Sequence, residues 1–277
     1  MNSTFLWNTA FLLALMAIAA VIEVFIPLFE RGESSKGRTT PNLSLTAVNL
    51  GVNWLLTAVT AIVAVDLKPP ALLSALPFVI QVLITTMLLD FMYGYVSHVL
   101  LHKIPMLWQF HRVHHSDRFV DVTTLQRQHP VETLWRFLFV TIPSWALGLP
   151  AAGILLYRLA SRVNAVLEHS NIRVWRPLDK AGSLIWCTPN MHKIHHSNEQ
   201  VETDSNYGNI FSIYDRLFGT FTNTDRARHV VYGLKETDAA EARSMVGLLM
   251  LPFEGERPKL DGLKDQQFRR QSRAGAK

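Results

Sequence analysis

Hydrophobic residues in this chain gather into long runs separated by short polar segments. The first run, residues 5–29, is about long enough to span a bilayer, with Glu23 as its one charge before Glu30. It has no basic residue ahead of it and no small-residue cleavage site behind it, so it reads as a retained anchor rather than a signal peptide. A polar loop over 30–43 carries Arg31, Lys36 and Arg38, which places it on the cytoplasmic side, and a second apolar run follows at 45–65. Residues 66–70 make a turn on the opposite side. A third run, from 71 to about 93, reads on without a break into His98 and His102, which then emerge on the cytoplasmic face.

The apolar stretch 136–157 would, as a single crossing, separate His169 and the later histidines from the earlier ones. Pro143, Gly148, Pro150 and Gly153 sit in its middle, and the pattern predicts two helices, near 131–147 and 150–169, forming a hairpin that enters and leaves by one face. From 173 onward the chain is mostly polar. The stretch 245–253 is too short to span, and Arg269, Arg270, Arg273 and Lys277 mark a basic, disordered tail. The expected fold is all-α: an integral membrane helical bundle with a cytoplasmic, histidine-rich metal-binding cap. Its regions are 1–93 with three transmembrane helices, 94–222 with the histidines and the hairpin, and 223–277 as a cytoplasmic C-terminal segment.

Composition agrees with this picture. The 277 residues are 49% hydrophobic and 18% charged, too unevenly apolar for an ordinary soluble domain. The net charge of +5 sits in loops and tail beside apolar runs, which points to anionic lipid headgroups and away from nucleic acid. The single Cys187 excludes a disulfide framework, a zinc ribbon and a Cys-ligated iron–sulfur cluster carried by this chain alone. A reducing compartment follows for the reactive face.

Eight of the eleven histidines fall into three clusters: His98 and His102; His111, His114 and His115; His192, His195 and His196. The first pair is spaced i, i+4, which on a helix puts both imidazoles on one face about 6 Å apart at Cβ. The other clusters read HxxHH, so their first and last histidines share a face and the middle one lies beside them; each can feed two adjacent metals. Imidazole suits Fe, Zn, Cu and Ni, and eight or nine ligands exceed the four of a structural zinc, so two metals are implied. His169 ends the second hairpin helix on the same side and is a further candidate ligand. Around these, Asp90 reads either as a hydrogen-bond partner of a ligand imidazole or as an interfacial charge, and His129, before Pro130, either as such a partner or as a residue of a helix start. Residues 206–220 are expected to form one short amphipathic helix closed by Gly219, whose Asp215 either orients an imidazole or pairs with Arg216 at the surface. His229 should face solvent. Asn49 and Asn53 should bond between helices, and Trp54, Trp108, Trp135 and Trp175 read as interfacial aromatics.

These residues resemble the fatty acid hydroxylase and sterol desaturase superfamily, whose histidine boxes have the forms HxxxH, HxxHH and HxxHH. The matching text is His98-Val-Leu-Leu-His102, His111-Arg-Val-His114-His115-Ser116 and His192-Lys-Ile-His195-His196-Ser197. It extends to Asp90, Arg127-Gln-His129-Pro130-Val-Glu132, Glu168-His169-Ser170-Asn171 and the stretch from Asn206 to Thr220, in all roughly residues 85–222. The resemblance implies a non-haem di-iron centre that uses O2 and two electrons to hydroxylate or desaturate an unactivated C–H bond of a sterol or fatty-acyl type lipid. Some members have a further histidine where this chain has Arg173, which leaves open a different ligand or an open position on one metal. No HPGG haem motif or flavin fingerprint appears, so electrons are expected from a separate cytochrome b5-like or ferredoxin-like protein with its reductase. The expected location is a bacterial inner membrane or an endoplasmic reticulum membrane, active site to the cytoplasm. Two other readings compete: a membrane-embedded zinc-dependent hydrolase, which lacks the HExxH glutamate, and a metal transporter or sensor, whose histidines would line the spans rather than lie beyond them.

Overall fold

The computed structural model of the chain describes residues 3–63, 70–234 and 244–254. The predicted turn near 66–70 lies largely, and the basic tail wholly, outside the described residues. What is described is helical, with three isolated antiparallel bridges and no sheet among the described residues. The long elements are α1 (Ser3–Phe25), α2 (Thr39–Val63) and α3 (Phe78–Leu89), the last continuing through a π-helical stretch Asp90–Val96 into α4 (Ser97–Lys103). Three stretches, Phe5–Phe25, Glu33–Ile62 and Phe78–Lys103, are long and apolar enough to cross a membrane. The third helix starts at Phe78 rather than near 71, because residues 72–76 turn before Pro77. It does run on into the first box, but through π turns that shift its register.

α5 (Pro105–His115) follows, then a 3-10 turn Val122–Gln126 and the paired helices α6 (Pro130–Ala146) and α7 (Ala151–His169). The break falls at Leu147–Pro150, where Gly148 has φ +59, a conformation favouring glycine; Pro143 stays inside α6. Because lipid tails are as apolar as leucine, helices inside a membrane associate by close packing and hydrogen bonds rather than by the hydrophobic effect. Gly153 shows the first: a Cβ there would lie 2.6 Å from the Cβ of Thr85, so only glycine lets α7 approach α3 this closely. Asn49 shows the second. Its amide donates to the carbonyls of Gln126 and Gln128, and its oxygen accepts from the Thr133 hydroxyl, as expected of an interhelical bond. Asn53 instead donates within its own helix, to the Asn49 carbonyl.

The lone charge of the first span fastens it to the cap. Glu23 is buried, and its Oε1 accepts from the backbone N–H groups of Val122 (2.8 Å) and Asn171 (2.9 Å). Beneath the cap, buried Arg38 makes a two-pronged contact with Asp117 and a further one with Asp121 at 2.6 Å, while Arg127 bonds Asn42, Ser116 and the Val113 carbonyl. Burial alone would raise the Asp117 carboxyl; Arg38 and Arg127 hold it well below the usual carboxylate range. The remaining helices are short: α8 (Arg176–Gly182), α9 (Pro189–His195), α10 (Gln200–Thr203), α11 (Ile213–Leu217) and α12 (Met245–Met250).

The single amphipathic helix expected over 206–220 is not formed. Only Ile213–Leu217 is helical, and residues 206–212 are an irregular loop in which Asn206 has φ 52. Two buried carboxylates compete for its backbone: Asp215 accepts from the N–H groups of Tyr207 and Gly208, and Asp90 from those of Ile210 and Phe211. Gly219, with φ 72, still ends the helix as predicted.

Candidate metal centre

Most candidate ligands sit in or just past the last turn of a helix; His98, at the start of α4, and His111, one turn back from the end of α5, do not. α5 and α9 both begin with proline at the first turn, where a missing N–H costs nothing, and both end in their HxxHH histidines. Thr188 caps α9 by accepting from the Met191 N–H. His169 is the last residue of α7, and the buried Lys193 ammonium donates to the carbonyls of Glu168 and His169, closing that helix with a cation.

The nine buried histidines form two groups. His98, His102, His111, His115 and His195 make the first, and His114, His169, His192 and His196 the second, with ligand nitrogens in each group all within 4.8 Å of one another. Helical geometry explains the division. The i, i+4 histidines of the second box join the first group and its middle one the second, while the third box sends its middle histidine to the first group and its outer pair to the second. Each HxxHH turn therefore bridges the two groups.

The Nε2 atoms converge. His98 and His111 are 3.1 Å apart, His111 and His115 3.2 Å, His114 and His169 3.1 Å, His169 and His192 2.9 Å, and His192 and His196 3.0 Å. Nitrogens bound about 2.1 Å from one ion at right angles would be about 3.0 Å apart, so these edges fit a shared cation. The Nδ1 atoms tell what the Nε2 atoms carry. Nδ1 of His98 must donate to the Tyr207 carbonyl (2.8 Å), that of His195 to the Ser205 carbonyl (2.8 Å), and that of His169 to the Ala165 carbonyl (2.7 Å). Nδ1 of His111 faces the Glu132 carboxylate at 3.0 Å, and that of His102 faces Asp204 at 3.4 Å. A neutral imidazole that donates from Nδ1 presents a lone pair at Nε2. Lone pairs of His98 and His111 thus face each other at 3.1 Å, which is repulsive until a cation lies between them.

Burial favours the neutral form of these rings. It is the leading cause in every case, lowering His111, His114, His115, His192 and His196 and holding His195 down at about 3. Protonation would place several positive charges within one small volume, so the lone pairs stay available at neutral pH.

Of the three candidate imidazole partners, none bonds a ligand ring directly, and His129 takes its other reading, that of a helix start. Asp90 and Asp215 touch no ligand imidazole directly; the π turns aim Asp90 at the loop 209–211, and Asp215 lies under Tyr207 and Gly208. Gly208 permits this, since a Cβ there would lie 2.9 Å from an Asp215 oxygen. Asp215 acts on His98 at one remove, by fixing the residue whose carbonyl accepts from it. His129 caps its own helix, its Nδ1 accepting from the Val131 N–H. Sequence reasoning missed Glu132 and Asp204, the two carboxylates that do face ligand rings. For Glu132 a signal was present: an acid in the first turn of an apolar helix, with Arg136 four residues later. Asp204 carried none. Trp108 is no interfacial residue but packs on His102 and His115 at ring distances of 5.0 and 5.4 Å. Arg173 and His229 are exposed, and both histidine groups assemble without them.

Replacing Asp215 with Asn is expected to lower activity roughly 10-fold to 100-fold, the range for groups that orient metal ligands. Asn keeps the shape but can accept only through one oxygen, so Tyr207 or Gly208 loses its partner and the His98 tautomer is released. Metal content and rate both at wild-type levels would leave Asp215 a purely structural residue.

A cavity of about 630 Å³ lies between α1, α2, α6 and α7 and reaches His98, His114, His169 and His192. Leu12, Leu50, Phe137 and Val140 line its walls. An apolar chain entering from the level of the spans would therefore meet both histidine groups.

The profile of the fatty acid hydroxylase family matches residues 82–220, which hold all three boxes and His169. The chain is 28% identical over 284 aligned residues to an ornithine lipid hydroxylase of Rhizobium tropici, covering 98% of this chain and 83% of that one. It is 29% identical over 147 residues to an alkylglycerol monooxygenase of Caenorhabditis elegans and 31% identical over 150 residues to the human one. Those two matches cover 52% of this chain but only 28% and 31% of the relatives. No solved structure matches. With half of its length matched by the profile, the boxes included, the chain belongs to the fatty acid hydroxylase family.

Proposed function

We propose that the protein is a membrane-bound, O2-dependent lipid hydroxylase or desaturase whose nine histidines hold two iron ions. The observation that carries this is the facing of Nε2 lone pairs in two adjacent groups, with the Nδ1 sides of three rings bonded to backbone carbonyls and those of two more facing carboxylates. Five nitrogens in one group exceed the four that zinc prefers, which favours iron over a hydrolytic zinc site. Bound there, the irons would supply the oxidising power to break an unactivated C–H bond of the lipid with O2 and two external electrons.

What the chain's own residues do is position and exclude. Tyr207, Ser205 and Ala165 carbonyls and the Glu132 and Asp204 carboxylates fix ring orientation; Trp108 closes one side of the first group against water. The cavity delivers a hydrocarbon chain to the cluster from the membrane level and keeps the reacting end dry. Electrons come from a separate cytochrome b5-like or ferredoxin-like protein reaching the cytoplasmic face.

The test is metal analysis and O2 uptake on the purified protein, with mass spectrometry of lipids from cells with and without it. Bound iron, lipid-dependent O2 consumption and a lipid that gains one oxygen atom or loses two hydrogens are expected. Product formation without O2 would instead identify a hydrolase. The arrangement in the membrane has its own check. An accessibility tag after Lys36 and another at the C-terminus should both report the cytoplasmic side, and opposite sides would refute the hairpin.

A further inference from the structure

The histidine groups leave one part of the cavity unexplained, its cationic wall among the apolar helices. Arg158 and Arg162 line the cavity from α7, on the face that ends in His169, since the separations of seven and eleven residues are close to whole helical turns. Leu155, Leu156 and Val163 of the same helix are exposed on its outer side, and so are Trp7 and Phe11 of α1 and Ile142 and Trp145 of α6. The two arginines therefore stand within the apolar belt but turn inward.

Arg162 donates from Nη1 to Oδ1 of Asn8 at 3.1 Å. Among the described residues no carboxylate lies within ion-pair distance of either guanidinium, whereas the third arginine of the wall, Arg136, is paired with Glu132. Glu168, the one acid in the lining, is six residues beyond Arg162, about 9 Å along the helix and beside the histidines. Two like charges at i, i+4 repel, and a charge at this depth is costly unless it meets a partner. Guanidinium groups match oxyanions in particular, through paired N–H donors in one plane.

We propose that Arg158 and Arg162, with Asn8, bind the oxyanion of an anionic lipid, so that the substrate of the histidine site carries a negatively charged phosphate or carboxylate. This rests on the reading of that site as lipid-oxidising and names its substrate class. The helical rise sets the arginine backbones about 10 and about 16 Å from His169 along α7. The C–H bond offered to the histidines accordingly belongs to the hydrocarbon chain, not to atoms next to the anion.

Binding to the full-length protein in non-ionic detergent tests this, read by fluorescence of tryptophans such as Trp54 in the cavity wall. Hexadecyl phosphate is expected to bind at least about 10-fold more tightly than hexadecanol, and inorganic phosphate neither to bind nor to compete at the same concentrations. The Arg158→Gln/Arg162→Gln variant should lose that preference while its hexadecanol affinity stays unchanged, which shows that the cavity is intact. Arg158→Lys/Arg162→Lys should keep part of the preference, and the single Gln variants carry the test should the double one not accumulate. Equal binding of phosphate ester and alcohol by the wild type, or a preference that survives both Gln substitutions, would overturn the proposal. Inorganic phosphate binding as tightly as its hexadecyl ester would also overturn it, because the site would then serve a free anion. The readout needs no turnover, so a protein that oxidises no lipid but shows the preference would separate this inference from the proposed activity.

Discussion

Substituting Ala for His115 is expected to abolish lipid oxidation, by more than about 100-fold, since even groups that only orient a ligand change activity by 10-fold to 100-fold. The reason lies in how the first group is built. His115 Nε2 is 3.2 Å from His111 Nε2, and its ring packs between Trp108 and His196 at 5.4 and 4.7 Å. Ala removes one of five donors and leaves a ring-sized void where water can enter. On the proposed two-metal reading, metal content is expected to fall from about two ions per chain towards one, because the second group keeps all four of its histidines. His196→Ala should do the converse, removing a donor from the second group. Membrane insertion should survive both changes, since the long apolar helices do not depend on the cluster. Arg173→Ala, at an exposed position outside both groups, should change neither activity nor metal. A His115→Ala protein with full activity would remove the second box from the site.

Much of this was legible in the sequence because its signals are local. Hydrophobic runs and Pro-Gly punctuation set the first two spans and the paired helices α6 and α7 within about six residues, though not the start of the third span, and i, i+4 spacing set which histidines share a face. What was not legible depends on contacts between distant segments. Nothing in the text near Asp90 says that π turns will swing it towards residues 209–211, 120 positions away from it at Ile210. The periodicity of 206–220 is helical, yet the loop forms because Asp90 and Asp215 capture its N–H groups, a competition that period counting cannot see. His98 and His195 take their orientation from backbone carbonyls, of Tyr207 and Ser205, which leave no mark on residue type.

Glu132, like Asp204, is a carboxylate that does face a ligand ring, and Glu132→Gln is expected to lower both activity and metal affinity roughly 10-fold to 100-fold. The side chain is buried, with Oε2 3.0 Å from His111 Nδ1 and Oε1 2.7 Å from Arg136 Nε. Both neighbours donate, and only a carboxylate can accept from both. Gln has one accepting oxygen. If that oxygen turns to Arg136, its amide meets the His111 N–H donor to donor, and the ring is pushed to carry its proton on Nε2, where the lone pair for the metal should be. In either orientation Arg136 loses its anion, a loss that costs about 3 to 5 kcal/mol when one partner of a buried pair is removed, and if the oxygen turns to His111 the amide also faces the guanidinium donor to donor. Arg136→Met separates the two effects. It leaves the Glu132–His111 contact in place, so metal affinity should hold while thermal stability falls. Titration of iron into metal-free protein, run beside a thermal melt, reads both quantities. Wild-type iron affinity in Glu132→Gln would show that His111 keeps its tautomer without the carboxylate, and the role assigned to Glu132 would fall.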